Sequence, residues 1–120
     1  MTLRISKQFA FSASHQLAGL PERHQCGRLH GHNYVVEIEL SAGREALTGP
    51  GFVRDYGDLS SFKGWIDEWL DHQHLNEVVA ENPTAENLAI WIYEQWIPEF
   101  PELTAVRVSE TPKTWAEYRR

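Results

Sequence analysis

The stretch "HQCGRLHGHNY", residues 24 to 34, holds three histidines and the chain's only cysteine within eleven positions. Imidazoles ligate borderline metals and exchange protons near neutral pH, and thiolates do both. His30 and His32 stand two apart, so in an extended chain both side chains leave the same face. His15 ends an earlier stretch and would join them if the two stretches pair. Three neutral imidazoles with a fourth position open describe a catalytic zinc site. A closed structural site needs four protein ligands, typically several of them cysteines, and one cysteine cannot supply that. An inward histidine alone is usually a hydrogen-bonded core residue. Three converging at one sheet end are hard to bury without a cation, since each unpaired ring nitrogen costs about 1–3 kcal/mol.

Cys26 precedes His30 by four residues. It reads either as a small buried apolar side chain or as a thiolate base or nucleophile, in a setting made polar and electropositive by Arg28 and the metal ligands. His24, in the turn "PERHQ", reads as a solvated residue. In "LDHQHLN", residues 70 to 76, Asp71 and His72 form either an ordinary helix C-terminus or an acid/base pair. Glu110 shares the parity of Val106 and Val108 and so faces inward. Its carboxylate needs a partner from the fold or from a ligand rich in N–H donors, such as a guanidine-like heterocycle.

The elements that must position these residues follow from hydrophobic periodicity. Residues 2 to 16 alternate, with Leu3, Ile5, Phe9, Phe11 and His15 on one parity. Residues 32 to 41 alternate as well, with Tyr34, Val36, Ile38 and Leu40 on the face of His30 and His32. An antiparallel hairpin of these two strands sets His15 beside His30 and His32. Residues 42 to 57 read as turns with a short extended piece at Phe52 to Asp55. A helix is expected from near Asp58 to about Asp71, with Leu59, Phe62, Ile66, Trp69 and Leu70 inward. A second is announced by "NPTAEN", where Thr84 is the N-cap and Glu86 lies in the first turn. Its inward stripe is Leu88, Trp91, Ile92, Gln95 and Trp96, and Pro98 stops it. Strands return in "LTAVRVSE" and, more weakly, in "TWAEYR". The order β-β-α-α-β-β predicts an α+β domain over residues 1–120, with a four-stranded antiparallel sheet and two helices on one face.

Bulk properties narrow the function. The 120 residues make one domain, and a hydrophobic content of 42% fits a globular chain. A formal net charge of −6 argues against nucleic-acid binding. No segment approaches the roughly 20 apolar residues of a membrane span, and the N-terminus lacks a signal-like apolar run. The expected location is the cytoplasm.

The set "FSASH", "CGRLHGHNY", "LDHQHLN", "NPTAEN" and "VSET", in this order, resembles the 6-pyruvoyl-tetrahydropterin synthase superfamily. The likeness runs from about Phe9 to Tyr118. Within it the chain is most similar to the 6-carboxy-5,6,7,8-tetrahydropterin synthase branch of the queuosine (deazapurine) precursor pathway. There the cysteine stands four residues before the first histidine of H-G-H, whereas the pyruvoyl enzymes have a longer gap. The resemblance implies a T-fold (tunnelling fold) and one zinc ion per subunit, held by His15, His30 and His32. It implies Cys26 as the proton-abstracting residue, Asp71 and His72 as proton-shuttle partners, and Glu110 as the pterin anchor, sometimes grouped with the relay. Thr84 and Glu86 fall at further pterin contacts. Arg28 and Lys113 are candidates for the triphosphate. The implied reaction converts 7,8-dihydroneopterin triphosphate to 6-carboxytetrahydropterin, acetaldehyde and triphosphate. Two other outcomes are the pyruvoyl product, or a pterin- or zinc-binding module without catalysis. The implied assembly is a homohexamer of two trimers with sites between protomers.

Overall fold

A computed structural model describes all residues from Met1 to Arg120. Two 14-residue strands, β1 (Thr2–His15) and β2 (His30–Gly43), form an antiparallel hairpin in unbroken register from Thr2↔Gly43 to His15↔His30. β2 exceeds its expected span by two residues at each end, because the ladder continues through His30 and Gly31 and through Ala42 and Gly43. β4 (Leu103–Ser109) pairs antiparallel with β2, with a bulge between Glu39 and Leu40, and β5 (Ala116–Arg119) closes that side.

The sheet has five strands and not four, and it is mixed. A two-residue strand, β3 (Gln73–His74), lies parallel to β1 at its outer edge. Two residues are too few for a period-2 pattern to register. Backbone bonding at a sheet edge creates the strand: the His72 N–H donates to the Ser12 carbonyl at 2.6 Å.

Helix α1 (Ser60–Trp69) follows a 3₁₀ turn, Tyr56–Leu59, started by Asp55, whose carboxylate accepts the Gly57 N–H. The expected extended piece at 52–55 forms no strand, although Val53 is buried. A single-turn helix, α2 (Leu75–Val78), buries Leu75 and is absent from the sequence reading because one turn has no periodicity. In α3 (Ala85–Trp96) the Thr84 hydroxyl accepts the Asn87 N–H, as the N-cap expectation requires.

The core joins the inner face of the sheet (Phe9, Phe11, Val36, Ile38, Val106, Val108) to Phe62 and Ile66 of α1 and Leu88, Ile92 and Trp96 of α3. Three inward expectations fail at the margins. Trp69 is 52% exposed at the last residue of α1. Gln95 is exposed on α3, and Leu3 extends past the helical cover at the far end of the hairpin. Trp91 is only half-buried, stacked on Trp65 with ring centroids 5.3 Å apart. The opposite sheet face is polar, and Glu39 is buried there among arginines. No helix is long and apolar enough to cross a membrane.

Candidate functional site

The hairpin register makes His15 the cross-strand partner of His30, with His32 on the same face two residues on. The three rings meet edge to face, with centroids 4.5, 5.0 and 4.8 Å apart. Each presents a ligand nitrogen, and these three atoms lie within 4.8 Å of one another.

Proton placement follows from the acceptors around the rings. The Pro83 carbonyl, 2.8 Å from His15 Nδ1, can only accept, so Nδ1 carries the proton and Nε2 the lone pair. The Arg28 carbonyl does the same to His30 Nδ1 at 2.6 Å. With both rings in the neutral form that a ligand requires, the two Nε2 atoms face each other at 2.9 Å with no proton between them. His32 Nε2 is buried without any hydrogen-bond partner. Two opposed lone pairs and a third orphaned nitrogen are an unfavourable arrangement for the protein alone, and a cation among them satisfies all three. Burial lowers the pKa of His15 and of His32, which favours the neutral, ligating form. The carbonyls of Pro83 and Arg28 supply the outer hydrogen bonds that orient metal-binding imidazoles. This donor set, all imidazole and without a fourth protein ligand, fits zinc with an open position.

Tyr34, 1% exposed, places its hydroxyl 3.1 Å from His15 Nδ1, and burial raises its pKa so that it remains a phenol. In the sequence Tyr34 reads as one of the apolar inward residues of β2, and Pro83 only as part of the motif that precedes α3. The shared parity of Tyr34 with His30 and His32 was the available signal for the first, whereas a backbone acceptor leaves none.

Glu110 follows β4 and brings Oε2 to 3.8 Å from His32 Nε2. It lines a cavity of about 360 Å³ together with Leu17, Thr84, Glu86, Thr114 and Trp115. The structure thus gathers Glu110, Thr84 and Glu86 in one cavity beside the histidines. The Thr84 hydroxyl is already engaged as the α3 cap, so its first task is structural.

Asp71 and His72 form the pair read from the sequence, with His72 Nδ1 and Asp71 Oδ2 3.0 Å apart. The other carboxylate oxygen accepts the Ser12 N–H at 2.9 Å, and this bond together with His72 lowers the Asp71 pKa. His72 adopts φ +59°, the left-handed region, with its side chain 82% exposed. The ring lines a shallow polar depression of about 580 Å³ with Ser12, Ser14, His32, Asn33 and His74. Within one chain, Glu110 and His72 border different hollows. His74 is engaged with the Ser14 hydroxyl at 2.9 Å.

Cys26 sits in a 3₁₀ turn, Gln25–Gly27, is half-buried, and does not join the converging ligand atoms. His24 is exposed and caps this turn, accepting the Cys26 N–H at 3.1 Å. The Arg28 side chain is exposed; its carbonyl is the part that reaches the site. Lys113 is exposed in the β4–β5 connection.

The family model described as 6-pyruvoyl tetrahydropterin synthase matches residues 4–120. Curated relatives named 6-carboxy-5,6,7,8-tetrahydropterin synthase match at 29–36% identity over most of the chain. One, from Synechocystis sp., is 34% identical over 119 residues, covering 95% of this chain and 91% of its own. A relative from Pyrococcus furiosus named dihydroneopterin monophosphate aldolase is 32% identical over 95 residues, covering 79% of this chain and 75% of its own. The solved 6-pyruvoyl tetrahydropterin synthase of Caenorhabditis elegans superposes with a TM-score of 0.85 at 26% identity, covering 100% of this chain and 96% of that one. With the matched family model spanning nearly the whole sequence, the chain belongs to the 6-pyruvoyl tetrahydropterin synthase family.

Proposed function

We propose that this protein is a zinc-dependent lyase that converts 7,8-dihydroneopterin triphosphate and one water to 6-carboxy-5,6,7,8-tetrahydropterin, acetaldehyde and triphosphate. The observation that carries the reading is the convergence of three imidazole nitrogens, one of them buried without a hydrogen-bond partner, beside a cavity that ends on a carboxylate. His15, His30 and His32 would hold the ion. Zinc, when bound, supplies a Lewis acid that stabilises negative charge on substrate oxygen.

The remaining work falls to the chain's own groups. Glu110 accepts hydrogen bonds from the amino and ring N–H groups of the pterin, and Glu86 and Thr84 border the same cavity. Cys26 removes a proton from a side-chain carbon of the substrate. His72, oriented through Nδ1 by Asp71, exchanges protons through its free Nε2. Its ring is exposed on its own subunit, which suits a residue that completes a neighbouring protomer's site. A homohexamer built from two trimers accommodates such sharing, with Arg28 and Lys113 as candidate triphosphate partners.

Two relatives bear names for other outcomes on this scaffold, the pyruvoyl synthase and the aldolase. The four-residue interval between Cys26 and His30 favours the carboxy reaction. Mass analysis of the products formed from 7,8-dihydroneopterin triphosphate tests the assignment. The carboxylated pterin with acetaldehyde supports it, whereas a 6-pyruvoyl product or an aldol-cleavage product replaces it.

A further inference from the structure

We propose that Asn76 and Asn82 are positioning residues that fasten the loop carrying Cys26 against the three-histidine centre; the proposal rests on the reading of Cys26 as the proton acceptor. β1 ends at His15, and the backbone that continues through residues 16–18 belongs to no strand. Two side-chain carboxamides take the place of a partner strand there. Asn76 Oδ1 accepts the Gln16 N–H at 2.9 Å while its Nδ2 donates to the Gln16 carbonyl at 2.8 Å. Asn82 treats Ala18 the same way, accepting its N–H at 2.9 Å and donating to its carbonyl at 3.1 Å. A carboxamide is the uncharged side chain that sets a donor and an acceptor side by side as a peptide does.

Leu17, between the two clamped residues, bonds to the cysteine loop. Its N–H donates to the Cys26 carbonyl at 3.2 Å, and Gln16 Nε2 donates to the Gly27 carbonyl at 3.0 Å. Leu17 also lines the Glu110 cavity. The anchor itself is firm. The Asn82 carbonyl accepts the Thr84 N–H at 2.8 Å and Asn87 Nδ2 at 2.9 Å, which ties it to the first turn of α3. Its neighbour Pro83 orients His15. One short segment, residues 82–83, therefore sets both a histidine ring and the strand extension that bears on Cys26. Gln16 and Ala18 are exposed and contribute nothing to the core, so these hydrogen bonds govern where the segment lies.

Cys26 is the sole cysteine, so alkylation by iodoacetamide reads this loop alone. The variants are Asn76→Ala, Asn82→Ala and the exposed Gln16→Ala, which touches only the cysteine side and keeps the test open if an asparagine variant does not fold. Metal content, KM, kcat and alkylation rate are measured on each zinc-loaded protein. The expected result is unchanged metal content and a KM within about two-fold, with kcat lowered roughly 10- to 100-fold and the thiol alkylated several-fold faster. Gln16→Ala should move in the same direction by less. Wild-type alkylation rates in all three variants, or faster alkylation with unchanged kcat, overturn the proposal. If the wild-type protein makes no pterin product, the functional reading fails and the catalytic positioning falls with it; the alkylation rates still decide whether the asparagines fasten the loop.

Discussion

Replacing Glu39 by glutamine should destabilise the fold by about 3 kcal/mol at neutral pH, and the loss should fade in acid. Glu39 is 4% exposed on the sheet face away from the helices. Its Oε1 accepts from Arg107 Nη2 at 3.0 Å and Arg119 Nη2 at 3.1 Å, and its Oε2 accepts from Arg119 Nη1 at 2.7 Å and the Thr104 hydroxyl at 2.8 Å. These donors, Arg119 foremost, lower the carboxyl from 4.5 to about 2. At about 1.36 kcal/mol per pH unit, a depression of this size corresponds to about 3 kcal/mol favouring the ionised native state. Because the folded pKa lies below the unfolded one, this contribution is complete above about pH 4.5 and is lost as pH falls towards 2. At pH 3 less than half of it remains. A glutamine in its place also turns an N–H against an arginine N–H, whichever way the amide is oriented. Urea unfolding of both proteins at pH 7 and pH 3, at fixed protein concentration, measures the gap. A gap below about 1 kcal/mol at pH 7, or one that does not shrink in acid, refutes the reasoning from a buried, charge-assisted cluster.

Cys26→Ala should keep metal, assembly and substrate affinity while steady-state turnover falls roughly 100- to 10,000-fold, the span typical of a positioned general base; near-normal turnover would make the thiol incidental. Glu110→Gln should chiefly raise KM, since the amide presents an N–H to the pterin's own N–H groups and removes bonds worth about 1.5–3 kcal/mol, roughly 10- to 150-fold in affinity. Isothermal titration with a non-reactive pterin would register that loss directly, and unchanged affinity would move the anchor elsewhere.

The sequence carried the hairpin because fourteen-residue strands repeat their period often enough to be read, and strand parity brought His15, His30 and His32 together without further help. It carried α3 because Thr84 caps it by the bond its side chain predicts. What escaped is local or cooperative. β3 and α2 are too short for periodicity; β3 exists because the edge of β1 offers Ser12 and Ser14 as partners, and α2 buries Leu75. The Pro83 carbonyl and the carboxamides of Asn76 and Asn82 act across some sixty residues of sequence, and no spacing rule reports such pairings. The burial of Glu39 needs β4 and β5 to bring Arg107 and Arg119 to one point, whereas its parity along β2, opposite to that of Val36 and Ile38, marks only an outward polar residue. Asp71 and His72 were legible as a pair, but the hollow that His72 borders is distinct from that of Glu110, which no reading of one chain's parity could foresee.

The metal content of the purified protein bears most directly on the central claim that His15, His30 and His32 form a ligand set. Elemental analysis should find about one zinc per chain in active wild-type protein. His30→Ala is the gentlest removal, because His30 is the least buried ring of the pair facing across 2.9 Å. That variant should lose metal and activity together while its circular dichroism stays native. Fully active wild-type protein without a transition metal, or a His30→Ala variant with its zinc retained, would contradict the account.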